Sequence, residues 1–133
     1  MKATKMVKEL KKLPYKERLA QLKLPSLKYR RYRGDMIETF KILNGYYDIN
    51  ITKNLVKNLD TRTRGNCLKL AHIRANLDIR KHSFCSHIVT IWNSLPNNIV
   101  MSTSINSFKN GLDKYWCDEE VLYNWEANLT SLV

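Results

Sequence analysis

Hydrophobic and polar positions alternate with a helical period on both sides of the Trp-Asn-Ser-Leu-Pro segment at 92–96. Before it, apolar residues at spacings of 0, +4, +7, +8 and +11 share one helical face, namely Phe84, Ile88, Ile91, Trp92 and Leu95. After it, spacings of 0, +3, +7, +10 and +11 define a second face, namely Ile105, Phe108, Leu112, Tyr115 and Trp116. Pro96 has no N–H and disfavours the α region for the residue before it, so it ends the first helix. A hydroxyl at 102–104 can cap the second helix, from Ser102, Thr103 or Ser104.

Two prolines divide the N-terminal third into three helical segments. Before Pro14, the stripe Ala3, Met6, Val7, Leu10 and Leu13 predicts a first helix. Pro14 ends that helix and starts a second, with Tyr15, Leu19 and Leu22 facing inward. After Pro25, Ser26 caps a long helix to Asn44, which Gly45 stops. Its expected core residues are Leu27, Met36, Ile37, Phe40 and Leu43, and Gly34 suggests close helix packing.

The remaining segments complete a mostly α fold, a small helical bundle with one short β-hairpin. Alternation over Cys67–Ile73 predicts a strand that pairs with Leu77–Lys81. Asp118 is expected to cap a last short helix with four inward residues, Val121, Leu122, Trp125 and Leu129. We expect a single domain, 1–133, made of basic helices (1–45), an irregular connector (46–66), the hairpin plus a helix pair (67–116) and an acidic terminal helix (117–133).

Charge is unevenly distributed along the chain. The 133 residues are 44% hydrophobic and 26% charged, which is typical of one folded domain with a modest core, and the net charge is +11. Residues 1–33 carry 12 Lys and Arg against two Glu, whereas residues 117–133 carry four acidic residues and no Lys or Arg. A basic head and an acidic tail predict a polyanionic partner for the head, or docking of one end on the other.

An arginine box on the third predicted helix is the strongest candidate site. It comprises Lys28, Tyr29, Arg30, Arg31, Tyr32 and Arg33. Guanidinium groups fork onto phosphates, and tyrosines can stack on bases, so the box predicts contact with RNA or DNA. The alternative is a solvated helix face with its tyrosines in the core. A second basic surface is predicted around the hairpin from Arg62, Arg64, Arg74, Arg80 and Lys81. Equally, Arg80 can pair with Asp78 or Asp60 and hold the fold.

The sequence gives little indication of a metal site or of a membrane segment. Cys67, His72, His82, Cys85 and His87 include zinc-type ligands, but their spacing does not match paired zinc knuckles, and Cys85 suits an apolar helix face. We therefore expect no metal, no cofactor and no small-molecule substrate. No apolar run approaches the ~18 residues of a membrane span, so no membrane partner is expected. Three widely spaced cysteines favour a reducing, intracellular location, nuclear or cytoplasmic.

Several motifs, in order, resemble the region that follows the polymerase palm in non-LTR retrotransposon reverse transcriptases of the LINE, jockey and CR1-like elements. The N-terminal boxes are Thr4–Met6, Tyr15–Leu19, Arg30–Asp35 and Phe40–Leu43. The middle matches at Arg62 and Arg64 before Gly65 and at Leu68–Leu70. The stretch 80–116 supplies an Arg-Lys pair, Phe84, the WNSLP box, a Ser/Thr-rich turn and SFKNGLD. The resemblance covers roughly residues 3–116, and it implies that 1–45 is thumb-like and near a template–primer path.

Catalytic residues of that family are missing. Its polymerases use a palm aspartate pair to hold two metal ions, and no Asp-Asp dipeptide occurs in this chain. We therefore expect a fragment without the catalytic palm, which is not an enzyme and has no catalytic residues. The predicted function is a nucleic-acid-binding accessory segment of an RNA-directed DNA polymerase. The alternative is a small basic helical module that binds another protein, or an inert remnant of a retroelement.

Overall fold

The described part of the chain is helical. The computed structural model describes residues 3–47, 68–71 and 84–129, with the backbone alone for 84–87. Short 3-10 helices span Ala3–Met6, Lys8–Leu10 and Glu120–Leu122. The α-helices are α1 (Tyr15–Leu22), α2 (Leu27–Leu43), α3 (Phe84–Asn93), α4 (Asn97–Val100) and α5 (Ile105–Tyr115). The mostly α class predicted from the periodicity is therefore confirmed.

Helix α2 forms the centre of the fold and packs against α3, α5 and the last 3-10 helix. Phe108 of α5 stacks on Phe40 of α2, with ring centroids 4.5 Å apart, and on Trp92 of α3, at 5.9 Å. Near the start of α2, Tyr29 meets Trp116 edge-to-face at 6.0 Å. These aromatic contacts join three helices into one core, because each ring is buried and touches a ring from another element.

The Trp-Asn pair of the WNSLP box holds a distant segment against the end of α3. The Trp92 indole Nε1 donates to the Leu68 carbonyl oxygen at 2.9 Å. The Asn93 side chain accepts from the Leu70 N–H at 2.8 Å and donates to the Leu70 carbonyl at 2.9 Å. One amide side chain thus pairs with both backbone groups of Leu70, whose side chain is buried in the core. Trp92 is the core anchor that its place on the apolar face predicts.

The predicted β-hairpin falls mostly outside the described residues. Residues 68–71 form no strand, and Leu70 makes only an isolated bridge. The second half, Leu77–Lys81, and the connector from 48 to 67 are not described. The hairpin therefore stays a prediction, and so does the burial of the Phe84 side chain.

The helix ends lie at the predicted capping serines, prolines and glycine. The Ser26 hydroxyl caps α2 by accepting from the Tyr29 N–H at 3.2 Å, and Ser104 caps α5 by accepting from the Ser107 N–H at 3.1 Å. Pro14 and Pro96 stand immediately before α1 and α4. Gly45, with φ of +78°, ends the turn after α2 in the left-handed region that favours glycine.

The predicted first helix is not formed as one α-helix. Residues 3–10 instead make two short 3-10 helices. Leu10 is buried, whereas Met6 and Val7 are exposed. Because helices in proteins are stabilised mainly by packing an apolar face, a stripe with one buried member does not hold a continuous helix.

Two expectations for α2 are wrong. Leu27 is 68% exposed rather than in the core. The buried face runs through Tyr29, Tyr32, Met36 and Phe40, and a residue two positions before Tyr29 is turned to the far side at about 100° per residue. Gly34 is exposed, and a Cβ built there would meet nothing within 4 Å, so no close packing needs it.

The predicted acidic terminal helix is also replaced. Over residues 117–129 the only helical piece is the 3-10 turn Glu120–Leu122, and Trp125 is 48% exposed. Val121 and Leu129 are fully buried. Because Trp125 is turned outward, the predicted stripe lacks a continuous buried face, and such a face is what mainly stabilises a helix in a protein.

Candidate nucleic-acid interface

Helix geometry divides the arginine box into an inward and an outward set. Successive residues of an α-helix differ by about 100°, so positions 29, 32 and 33 lie on the face of α2 that meets the core. Arg30 and Arg31 fall on the opposite side, and both are exposed. The box is therefore not one surface, and its members have different roles.

The tyrosines are structural. Tyr29 is 4% and Tyr32 is 5% exposed. Burial raises the pKa of Tyr29 to about 12 and also raises the pKa of Tyr32, because the charged phenolate is poorly solvated there. A ring that contacts Trp116 inside the core cannot also stack on a base. The prediction that Tyr29 and Tyr32 contact nucleic acid is therefore corrected, in favour of the alternative that placed them in the core.

Arg33 is bound to a carboxylate of α5. Its Nε donates to Asp113 Oδ1 at 2.6 Å and its Nη2 donates to Oδ2 at 2.9 Å. This two-pronged hydrogen bond raises the pKa of Arg33 further. Arg33 joins α2 to α5, so a phosphate would have to compete with Asp113 for it.

Lys28 and Ser26 hold the segment 117–129, which we call the C-terminal strap. Lys28 Nζ donates to the Ala127 carbonyl at 2.7 Å and to Asn128 Oδ1 at 2.5 Å. Ser26 is fully buried; its backbone N–H donates to the Leu122 carbonyl at 2.7 Å and its Oγ donates to the Val121 carbonyl at 2.5 Å. The C-terminal strap is thus fixed to the start of α2 by side-chain and backbone contacts.

An exposed ion pair extends this contact to α1. Lys16 Nζ lies 3.4 Å from Glu120 Oε1, and hydrogen bonds from Asn124 and Lys16 lower the pKa of Glu120. Docking of the acidic tail on the basic head was one of the two outcomes that the charge distribution predicted. In the structure, backbone carbonyls of the C-terminal strap and its buried apolar side chains contribute to this contact together with the Lys16–Glu120 pair.

The N-terminal third also has exposed cations that take no part in the contacts described above. We call them the N-terminal cations: Lys5, Lys8, Lys11, Lys12, Lys23, Arg30 and Arg31. Within the residues that the structure describes, no carboxylate lies within 4 Å of any of them. The five lysines were not among the predicted site residues, although the charge of residues 1–33 was the signal for them.

The residues of the second predicted basic surface all lie outside the described residues, namely Arg62, Arg64, Arg74, Arg80 and Lys81. The zinc-type candidates are outside them too, except for Cys85 and His87, whose side chains are not described. Across the ranges that are described, no group of three or more His, Cys, Asp or Glu side chains is arranged to hold a metal ion.

Comparison with known proteins finds no matching family model, no matching curated protein and no matching solved structure. None of the described helices has the length and apolar character needed to cross a membrane.

Proposed function

We propose that this chain binds single-stranded RNA or DNA, with little sequence preference, through phosphate contacts of its N-terminal cations. The observation that carries the proposal is the outward pair Arg30 and Arg31. They are adjacent, exposed, held on a helix that is anchored in the core, and without a carboxylate partner in the described part of the chain. A guanidinium so placed offers its donors to a phosphate without giving up an existing hydrogen bond.

Binding should depend on phosphates rather than on bases. Tyr29 and Tyr32, the aromatic residues beside the arginines, are in the core and cannot supply a stacking platform. Proteins that combine cations with stacking gain affinity for each base, whereas cations alone act through counterion release. We therefore expect strong salt dependence and modest affinity.

The wider role proposed is that of an accessory segment of a non-LTR retrotransposon RNA-directed DNA polymerase. The ordered boxes of residues 3–116 support it, and an intracellular location, nuclear or cytoplasmic, belongs to the same proposal. In this protein the Tyr15–Leu19 box forms the first half of α1, the Arg30–Asp35 box lies on α2, and the WNSLP box binds Leu68 and Leu70.

A protein partner is the second candidate function. The observation that favours it is a set of large exposed apolar side chains, which includes Met6, Leu27 and Trp125. An apolar interface is insensitive to moderate salt, whereas phosphate binding weakens steeply.

Salt dependence of binding tests the proposal. Filter binding of a single-stranded RNA and of a single-stranded DNA is measured with the full chain across a potassium chloride series. We expect log K to fall linearly with log salt, with a slope of about −0.7 for each phosphate contacted. Absence of binding at low salt, or affinity that ignores salt, would contradict the proposal and favour the protein partner.

A further inference from the structure

Arg18 is a buried cation that the proposed interface does not use. On α1 it shares the inner face with Tyr15 and Leu19, and it is only 4% exposed. Its Nε and Nη1 atoms are both buried and neither has a hydrogen-bond partner. The Tyr15 ring makes a cation–π contact with it, with the centroid 5.6 Å from the guanidinium carbon.

This arrangement leaves a charge unsatisfied. Arginine does not lose its proton in proteins, so the group cannot become neutral as a buried lysine or carboxyl can. A cation–π contact offsets only part of the cost of removing a guanidinium from water, and buried donors are almost always paired. No carboxylate of the described residues lies within 4 Å of Arg18, and the neighbouring Lys16 is paired with Glu120.

We infer that Arg18 is a binding site for a phosphate group. Guanidinium groups match the geometry of phosphate oxygens, and a phosphate supplies the charge and the acceptors that Nε and Nη1 lack. The net charge of residues 1–33, with 12 Lys and Arg against two Glu, attracts a multiply charged anion to this region. The same charge makes a cationic occupant unfavourable.

Access requires a small opening, because both nitrogens are closed to solvent. The 3-10 helix Ala3–Met6 contacts α1, and the only buried residue of the two N-terminal 3-10 helices is Leu10. Short 3-10 helices with few buried apolar contacts open at low cost. In this proposal, movement of this segment away from α1 gives phosphate access to the guanidinium while the core of α2, α3 and α5 stays in place.

Two carriers can deliver the phosphate, a free phosphate ion or a nucleic-acid backbone. The nucleic-acid backbone as carrier rests on the proposed function, whereas the phosphate site itself does not.

Thermal unfolding of the full chain is measured in sodium phosphate and in sodium chloride of equal ionic strength. The variants are Arg18→Met and the matched control Lys16→Met, which removes an exposed cation two positions earlier.

For the wild type and for Lys16→Met, we expect Tm to rise by about 3 °C or more in saturating phosphate relative to chloride. Arg18→Met should show a clearly smaller rise, because only the general stabilisation by phosphate and the exposed cations remains. In chloride it should melt at or above the wild-type temperature, because an unpaired buried charge has been replaced by an apolar side chain. An equal response of Arg18→Met to phosphate, or no response of the wild type, would overturn the inference.

A measurement on the wild type alone covers the case in which Arg18→Met does not fold. The ¹H–¹⁵N resonance of Arg18 Nε should shift on titration with inorganic phosphate, and an unchanged resonance would overturn the site. A single-stranded oligonucleotide is titrated in the same way. A shift with phosphate and with the oligonucleotide supports the nucleic-acid backbone as carrier. A shift with phosphate alone supports the site with free phosphate as its ligand, whether or not Arg30 and Arg31 bind nucleic acid.

Discussion

Ser26 should contribute more to stability than an ordinary helix cap. Its hydroxyl accepts from the Tyr29 N–H and also donates to the Val121 carbonyl of the C-terminal strap at 2.5 Å, with the whole residue buried. Loss of an N-cap costs about 1 kcal/mol, and a buried carbonyl left without its donor costs about 1–3 kcal/mol. Ser26→Ala should therefore lower the free energy of unfolding by about 2–4 kcal/mol.

Ser104→Ala is the matched control. Ser104 also caps a helix, by accepting from the Ser107 N–H at 3.1 Å. Unlike Ser26, it is exposed and has no hydrogen bond to the C-terminal strap. Its replacement should cost about 1 kcal/mol. Urea unfolding followed by tryptophan fluorescence measures both variants. If Ser26→Ala costs no more than Ser104→Ala, the reasoning that Ser26 anchors the C-terminal strap is wrong.

Four other substitutions test separate parts of the fold. Burial raises the pKa of Tyr29 from 10.0 to about 12, so the phenol loses its proton at lower pH in the unfolded chain than in the folded one. The stability that the neutral phenol contributes is therefore fully present below pH 10. About 2–3 kcal/mol of it is lost by pH 12. Tyr29→Phe should reduce this loss in alkaline unfolding experiments, and an unchanged pH profile would contradict it. Gly34→Ala should raise the free energy of unfolding by about 0.5–1 kcal/mol, because Gly34 lies in a helix with open space around it. Gly45→Ala should lower it by about 1–2 kcal/mol, because φ is +78° there. Effects of the same sign in the two variants would refute this reasoning. Asn93→Ala should cost about 1–3 kcal/mol and speed hydrogen exchange of the Leu70 amide, and full protection of that amide would show that Asn93 does not hold it.

Helix positions were predictable where local signals and packing agree. Pro14, Pro96 and the serine caps mark ends that depend on backbone chemistry within a few residues, so they hold in any tertiary context. The buried residues Ile88, Ile91 and Trp92 of α3 and Phe108 and Leu112 of α5 were predicted because apolar residues repeat there with a helical period. Tyr115 is the exception on α5, since it is exposed while Phe108 and Trp116 are buried.

Errors arose where the partner of a residue lies far along the chain. Whether Tyr29 faces a base or the core depends on Trp116, which lies far along the chain and which no local pattern identifies. The pairing of Arg33 with Asp113 is equally invisible in sequence, because 80 residues separate them. For the candidate site, sequence therefore identified the basic segment, whereas the division into inward and outward cations required the structure.

The central claim is that Arg30 and Arg31 bind phosphates while Arg33 holds the fold. The most direct test measures both the affinity for a single-stranded RNA across a salt series and the free energy of unfolding, for Arg30→Gln/Arg31→Gln and for Arg33→Gln. The double variant should bind more weakly, with its salt slope reduced in magnitude by about 1.4, and keep wild-type stability to within about 0.5 kcal/mol. Arg33→Gln should lose about 1 kcal/mol of stability with its ion pair, and retain the wild-type salt slope while folded. Wild-type affinity and slope in the double variant, or a loss of slope confined to Arg33→Gln, would contradict the account.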